Sequence, residues 1–272
     1  MQNFSISPNE MVHSFWRNRH LTSELVKREI QGRYRGSLIG LLWSFLTPVF
    51  MLAVYTFVFS VVFNARWSTA NESKMEFALV LFAGLIVFNL FSECVNRAPS
   101  LILSNVNYVK KVVFPLEILP IVALGSAFFH MLASLFVWLI CYGIFFGMPS
   151  ASALLLPLIL LPLALIVVGL SSILASLGVY LRDVSQLVGT LTTALMFLSP
   201  IFYPASALPL EYQKVLVINP LFPIIEQVRG VLMKGEMPDL YFLGSYILFS
   251  AFFAWIGFAL FQKTRKGFAD VL

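Results

Sequence analysis

Charged side chains are scarce in this chain of 272 residues. Asp, Glu, Lys and Arg together make up 11% of it, whereas they make up about 25% of a typical soluble domain. Hydrophobic residues account for 59% and aromatic residues for 15%. Such a chain lacks the polar surface that a globule needs in water, so we predict an integral membrane protein. The net charge of +5 comes from cations beside apolar runs, which argues against a nucleic-acid binder.

Residue types that bind metals or form crosslinks are also scarce. The two cysteines, Cys94 and Cys141, both lie in apolar stretches, and the three histidines are scattered. Buried apolar cysteines are a better interpretation than a disulfide or a metal pair. For His130, alone in an apolar stretch, we favour a hydrogen-bonded structural role. We therefore expect no metal site.

Motifs for energy conversion are missing as well. The pattern G-x-x-x-x-G-K-[ST] does not occur, so we expect this chain neither to hydrolyse ATP nor to hold a cofactor of its own. Glu93 and Glu117 lie near the ends of predicted spans, which argues against an ion-coupled transporter with carboxylates near the membrane midplane. No convincing carboxylate pair favours a membrane-embedded glycan enzyme.

Long uncharged stretches are what the chain does contain. A membrane helix needs about 20 apolar residues. Between Glu117 and Arg182 lie 64 uncharged residues, enough for two spans separated by a Gly/Pro turn at 147–152. We predict an all-α protein with six transmembrane helices at approximately 38–63, 77–97, 117–146, 153–180, 184–203 and 240–262.

The basic residues predict the orientation of these spans. With both termini in the cytoplasm, thirteen of the 18 Lys and Arg residues lie on the inner side. The positive-inside rule favours this arrangement. In the first span, Gly36, Gly40 and Ser44 predict a ridge of small residues for close helix packing.

Residues 7–31 predict an amphipathic helix, in one or two pieces, before the first span. Ser7, Pro8 and Glu10 form a capping-box pattern. Apolar residues then recur at helical spacing, and cations occupy the other face. Such a helix most often lies in the membrane interface, and docking to a partner protein is compatible with that position.

The segment between the second and third predicted spans has two interpretations. It reads RAPSLILSNVNYVKKVVFPLE over residues 97–117. It is either a loop whose lysines, Lys110 and Lys111, anchor the neighbouring spans or a short helix presented to another protein.

Residues 204–238 predict two short helices in a re-entrant hairpin on the outer side. Several prolines interrupt the segment, and its apolar runs are too short to cross a membrane. Glu226 and Arg229 are three residues apart and pair on one helical face. We slightly favour a satisfied surface pair, and the alternative is a pair of ionisable groups lining an outer gate.

Several blocks together resemble the polysaccharide-exporting permeases of the ABC-2 class. They are GRYRGSLIGLLWSFLTP, SNVNYVKKVVFPLEILP, YLRDVSQLVGTLTTALMFLSPIFYP and NPLFPIIEQVRGVL, in the expected order over nearly the whole chain. The resemblance is strongest to the membrane subunits of O-antigen exporters. It implies one permease domain over residues 1–272, in the bacterial inner membrane with both termini cytoplasmic.

The resemblance also implies partners and a cargo. Such a permease works as a homodimer with two copies of a separate ATPase, which binds ATP and Mg²⁺. The cargo is a glycan on a polyprenyl diphosphate lipid. The coupling helix that docks in the ATPase corresponds to residues 104–114. Its candidate residues are Asn105, Asn107, Tyr108, Lys110, Lys111 and Phe114.

Two further sets of candidates follow from the chemistry of this cargo. Arg33 and Arg35 match a diphosphate headgroup, because guanidinium forks bind phosphate oxygens. Snorkelling to anionic lipid is an equally good interpretation. Aromatic rings stack on sugar C–H faces, although most of the 27 Phe must face lipid. The glycan-surface candidates are Tyr55, Phe59, Phe63, Phe197, Phe202 and Tyr203.

Three other functions compete with polysaccharide export. An ABC-2 exporter of a drug or a small lipid would share the fold and differ in its cargo. An ion-coupled secondary transporter would work without the ATPase. A membrane-embedded glycan enzyme would require paired carboxylates that face one compartment.

Overall fold

The computed structural model describes residues 5–62, 74–110, 114–216 and 218–272, and every regular element in those ranges is helical. The α-helices are α1 (Pro8–Arg17), α2 (Arg19–Tyr34), α3 (Trp43–Tyr55), α4 (Lys74–Arg97), α5 (Val106–Lys110), α6 (Leu119–Phe146), α7 (Leu156–Tyr180), α8 (Val184–Leu198), α9 (Leu210–Leu216), α10 (Phe222–Arg229), α11 (Leu240–Thr264) and α12 (Phe268–Val271). A π-helical segment, Thr56–Val62, continues α3, and another, Gly230–Lys234, continues α10. The all-α prediction is confirmed in these ranges.

Among the described residues, five stretches are long and apolar enough to cross a membrane, one fewer than the sequence predicts. They are Gly40–Phe59, Met75–Ser100, Leu116–Phe146, Ala151–Tyr180 and Leu240–Val271. The predicted fifth span, 184–203, contains α8, which has only 15 residues. At a rise of 1.5 Å per residue it is shorter than a hydrocarbon core about 30 Å thick. The helix stops because Ser199 adopts an extended backbone immediately before Pro200.

The predicted turn between the third and fourth spans is confirmed. The helix α6 ends at Phe146, and Gly147 has a positive φ of 87°, which side chains other than glycine adopt at a cost. A 3₁₀ turn, Ala151–Leu155, then leads into α7. One glycine thus divides the longest uncharged run of the chain into two helices.

The expected ridge of small residues on the first span is not formed. Gly36 and Gly40 both have a positive φ, 85° and 56°, so Gly36 precedes the helical region and Gly40 lies in a 3₁₀ turn before α3. Only Ser44 belongs to the α-helix, where its hydroxyl donates to the carbonyl oxygen of Leu41. The glycines therefore bend the chain here instead of supplying a packing surface.

The helix α4 lies at the centre of the packing. Most of its side chains are buried, and α3, α6, α7, α8 and α10 pack around it. The indole of Trp138 in α6 is fully buried and donates to the carbonyl oxygen of Leu79 in α4, at 3.0 Å. The residues Phe82 and Leu85 of α4 belong to the same apolar cluster. This helix forms the axis on which the other elements are arranged.

The N-terminal region forms two helices that pack against the ends of the spans. Ser7 caps α1, since its hydroxyl accepts from the amide of Glu10 at 3.1 Å, which confirms half of the predicted capping box. The side chain of Glu10 pairs with Arg17 instead of returning to Ser7. The indole of Trp255 in α11 donates to the carbonyl of Ile6. These contacts hold α1 against the last span.

The pair α7 and α11 packs closely because two glycines meet there. A Cβ atom on Gly257 would lie 2.3 Å from the carbonyl oxygen of Gly169, and one on Gly169 would lie 2.9 Å from the Cα of Ala254. These neighbours are backbone atoms and cannot move aside as a flexible side chain does. Small residues at such a crossing let the two backbones approach each other, as in many membrane helix pairs.

We therefore expect Gly257→Ala to destabilise the protein by about 1–3 kcal/mol, because the methyl group overpacks the crossing. Thermal unfolding of the detergent-solubilised protein measures the effect. Gly244→Ala is the matched control on the same helix, since a Cβ there meets nothing within 4 Å. Equal unfolding temperatures for the two variants would contradict this account of the crossing.

Candidate functional site

The predicted coupling segment forms a shorter helix than expected. Residues 104–114 contain the end of a 3₁₀ turn, Leu103–Asn105, and then α5, while residues 111–113, including Lys111, lie outside the described ranges. The amide of Asn105 donates to the carbonyl of Leu101 at 2.8 Å. Asn107 and Lys110 are exposed, and neither makes a hydrogen bond or ion pair within the described chain. The segment thus presents two free polar side chains.

The aromatic residues of this segment face inward. Tyr108 and Phe114 stack with ring centroids 4.2 Å apart and an interplanar angle of 9°. The Arg28 guanidinium of α2 donates to the hydroxyl of Tyr108 at 2.5 Å and lies over its ring. Phe114 is buried. We infer that these two rings hold the segment in place and that Asn107 and Lys110 form its outer surface.

A buried ion pair fixes the far end of the segment. The Arg265 guanidinium donates to Glu117 Oε2 and to the carbonyl oxygen of Phe114, both at 2.6 Å. The second carboxylate oxygen of Glu117 accepts from the hydroxyl of Ser14 in α1 at 2.8 Å. The Glu117 side chain is 7% exposed and that of Arg265 13%. We call Ser14, Glu117, Arg265 and the Phe114 carbonyl the terminal clamp, because it joins both ends of the chain to residue 114.

The amino-acid sequence does not predict the terminal clamp. Its two charged residues are 148 positions apart, and Glu117 alone reads as a residue at a span end. The one available signal is that Glu117 is the last carboxylate before the 64-residue uncharged run. A charge at such a position usually requires a partner, but no sequence pattern identifies which cation supplies it.

The two arginines proposed for a diphosphate headgroup differ in their surroundings. Arg33 forms an ion pair with Glu93 of α4, and its Nη1 also lies 3.1 Å from His130 Nδ1. The same His130 nitrogen is 3.0 and 3.1 Å from the two Glu93 oxygens. Arg35 is exposed and has no ion pair or hydrogen bond through its side chain among the described residues. The hydrogen-bonded role expected for His130 is confirmed.

Most of the aromatic candidates for the glycan surface lie together. Phe59 contacts Phe202 with centroids 5.3 Å apart, and Phe202 contacts Phe197 at 5.8 Å. Tyr55 lies next to Phe59, at 6.5 Å. The Tyr203 hydroxyl donates to the carbonyl oxygen of Phe197 at 3.2 Å. We call Tyr55, Phe59, Phe197 and Phe202 the aromatic row, which joins the end of the first span to the end of α8.

One candidate of that set, Phe63, lies outside the described residues. Within the row, Phe197 is 59% exposed, whereas Phe59 and Phe202 are partly buried. The row therefore packs against the protein core at one end and is accessible at the other. Such a surface contacts either lipid or a ligand, so the role of these rings in glycan passage stays a prediction.

The predicted pair of Glu226 and Arg229 contains the most deeply buried arginine among the described residues. Arg229 is 4% exposed and donates to the carbonyl oxygens of Val80, Pro200 and Ile201 at 3.1, 2.5 and 2.9 Å. It also pairs with Glu226 at 3.1 Å. Burial lowers the pKa of Arg229 to about 10, and the Glu226 carboxylate opposes this shift, so the guanidinium stays charged at neutral pH.

The backbone around Arg229 is shaped to accept it. A Cβ on Gly84 would lie 2.6 Å from Arg229 Nη2, so only glycine leaves room for the guanidinium beside α4. The accepting carbonyls at Pro200 and Ile201 follow the end of α8. Arg229 thus holds α10 against both α4 and the end of α8. The role of Glu226 and Arg229 as an outer gate stays a prediction.

Replacing Arg229 with Ala should lower the free energy of unfolding by about 3 kcal/mol, since three carbonyls lose a charged donor and are left buried. Chemical unfolding in detergent measures the loss. Lys234→Ala removes an exposed cation from the same hairpin and should change the stability little. A loss no larger than that of this control would show that the carbonyls find other donors.

Comparison with known proteins agrees with this architecture. The family profile described as "ABC-2 type transporter" matches residues 20–233. An O-antigen export system permease protein, RfbA, of Myxococcus xanthus is 28% identical over 263 residues, covering 96% of this chain and 98% of the relative. RfbA of Klebsiella pneumoniae is 26% identical, covering 91% and 93%. The polysialic acid transport protein KpsM of Escherichia coli is 27% identical, covering 94% and 98%. Because the profile spans most of the chain, the protein belongs to the ABC-2 type transporter family.

Proposed function

We propose that this chain is the permease subunit of an ATP-driven exporter that moves a lipid-linked, O-antigen-like polysaccharide across the bacterial inner membrane. One observation carries the proposal. The relatives are named for O-antigen or polysialic acid export, and they align with more than nine-tenths of this chain and of their own length. A match of this extent spans nearly the whole chain and is not confined to one segment.

The proposal includes a finer topology. The short α8 supplies the fifth of six crossings, which is completed by the extended residues that follow it toward the outer hairpin. Six crossings place both termini on the same side, and the basic bias of the chain favours the cytoplasm. The helices α1 and α2 then lie at the inner membrane surface, and residues 204–238 form a re-entrant hairpin on the outer side.

The remaining parts of the proposal concern partners and cargo. Two copies of this chain form a homodimer, and two copies of a nucleotide-binding subunit supply ATP and Mg²⁺ chemistry. Arg35, exposed and without a partner among the described residues, is the better candidate for the diphosphate headgroup, because Arg33 is engaged by Glu93. The aromatic row provides a surface on which sugar rings slide toward the outer end.

The terminal clamp supports a mechanism for coupling. The ATPase docks on the outer surface of residues 104–114, through Asn107, Lys110 and Lys111. Movement of this segment passes through the Tyr108–Phe114 stack to α2 and through the Phe114 carbonyl to Arg265. Since Glu117 precedes α6 directly, the same displacement reaches the third span. In this mechanism the terminal clamp holds residues 104–114 in a fixed position relative to the spans.

Replacing Lys110 and Lys111 with Glu should abolish stimulation of the ATPase by the permease and reduce export at least tenfold, while insertion stays intact. The assay is ATP-dependent export by the purified complex in vesicles. The pair Lys214→Glu and Lys234→Glu, the same charge change on the predicted outer side, is the control. Unchanged export in the Lys110/Lys111 variant would contradict the assignment of the segment.

The double variant Glu117→Gln with Arg265→Met should weaken capture of the ATPase about tenfold without unfolding the permease, because no unpaired charge stays buried. Pull-down of the ATPase from a concentration series measures the affinity, and thermal unfolding monitors the fold. Lys263→Ala, which removes an exposed cation two residues before Arg265, is the control. Wild-type capture by the double variant would show that the clamp does not position the docking segment.

The proposed function as a whole is tested with the wild-type complex. Vesicles that contain the permease and its ATPase should transfer a polyprenyl-diphosphate-linked glycan to the opposite leaflet only when ATP is hydrolysed. Transport driven by an ion gradient without the ATPase would identify a secondary transporter. Transport of a drug or a glycan-free lipid alone would identify the small-lipid alternative.

A further inference from the structure

A polar stripe runs along the last turns of α4, which belongs to the most buried of the candidate membrane spans in the described chain. Asn89, Ser92, Glu93, Asn96 and Arg97 follow one another at spacings of three, one, three and one residues. This spacing places them on one helical face. Polar residues in a membrane-spanning helix are costly and usually mark a functional path.

The two amides of this stripe are not used by the fold. Neither the Asn89 nor the Asn96 side chain makes a hydrogen bond within the described residues, and both residues are exposed. The hydroxyl of Ser92, by contrast, donates to the backbone carbonyl of Asn89 at 3.2 Å. Two carboxamides, each with donors and an acceptor, are therefore free to bind something outside the chain.

These amides face a cavity of about 510 Å³ between α3, α4 and α6. Its volume is within the range of small-molecule sites, about 300–1,000 Å³. Trp43 lines it, and the indole N–H donates to the hydroxyl of Ser37 at 3.1 Å, which fixes the orientation of the ring. Tyr34 lines the same cavity. An aromatic ring beside free amides is a combination that suits a sugar, which has apolar C–H faces and polar hydroxyls.

The charges around the cavity favour a neutral ligand. The Arg33 guanidinium is paired with Glu93, and that of Arg97 donates to Glu29 at 2.6 Å. Each cation that lines the cavity thus already has a carboxylate partner. An anion would have to compete with those carboxylates, whereas a hydroxyl accepts from a guanidinium and donates to a carboxylate without separating the pair.

We propose that this cavity, which we call the α4 cavity, binds a neutral sugar unit of the exported glycan. The assignment rests on the proposed function and adds a defined binding site to it. Asn89 and Asn96 hydrogen-bond the ring hydroxyls, and the Trp43 ring covers a C–H face. The Arg33–Glu93–His130 cluster contacts further hydroxyls at the rim. The site is separate from the aromatic row, which lies at the other end of α4.

Binding is tested with the complex in nanodiscs of phosphatidylcholine and a panel of neutral probes: glucose, galactose, mannose, rhamnose and N-acetylglucosamine. Saturation-transfer NMR detects weak binding of each sugar. At least one probe should bind, and Asn89→Leu with Asn96→Leu should weaken that binding about tenfold, because both amides lose their hydrogen bonds at similar side-chain volume. Trp43→Ala should weaken it by a similar factor.

The matched control is Gln186→Ala, which removes an exposed carboxamide from α8, away from the cavity. It should bind the probes as the wild type does. Absence of binding by all probes, or equal binding in the Asn89/Asn96 variant, would overturn the assignment. Displacement of a bound sugar by millimolar pyrophosphate would identify a diphosphate site and also overturn it. Loss of sugar binding in discs that contain phosphatidylglycerol would identify a lipid-headgroup site.

An export assay separates this inference from the proposed function. In vesicles, the Asn89/Asn96 variant should require about tenfold more lipid-linked glycan for half-maximal export, with unchanged ATP hydrolysis in the absence of glycan. If the wild type exports glycan and the variant needs no more glycan than the wild type, the sugar site is refuted and the proposed exporter function stands. If the wild-type complex does not export glycan, the proposed exporter function itself is refuted.

Discussion

The hydrocarbon interior of a membrane offers no water to satisfy polar groups, and the described structure follows from that constraint. Its buried charges are all engaged. Arg229 donates to three carbonyls, and Glu117 accepts from Ser14 and Arg265. Each of these networks joins elements that are far apart in the sequence. A charge that must be satisfied internally thereby determines how the spans are arranged.

The same constraint makes unengaged polar side chains informative. Asn107 and Lys110, within residues 104–114, have no partner among the described residues, and the same is true of Asn89 and Asn96 in the α4 cavity. The first pair is on the surface proposed for the ATPase, and the second faces the space proposed for sugar. Arg33 also lines this cavity, but it is already paired with Glu93.

Rigid connection is the second theme of the molecule. The terminal clamp links α1, Phe114 and the turn after α11, while the Arg229 network links α10 to α4 and to the end of α8. The helix α4 runs between these two regions and carries the polar stripe near one end. In the exporter that we propose, packed helices and not flexible loops would connect residues 104–114 to the region around Arg229.

The sequence by itself determined the membrane character, the helical class and the turn at Gly147, because apolar run length and glycine chemistry are local properties. It also predicted the cap at Ser7 and the hydrogen-bonded role of His130. It overestimated α8, since the extended backbone before Pro200 ends that helix, and it read Gly36 and Gly40 as a packing ridge. Only the tertiary structure decided which cation reaches Glu117, which carbonyls surround Arg229 and which asparagines stay free. These pairings join residues tens to more than a hundred positions apart, and no local pattern records which of them meet.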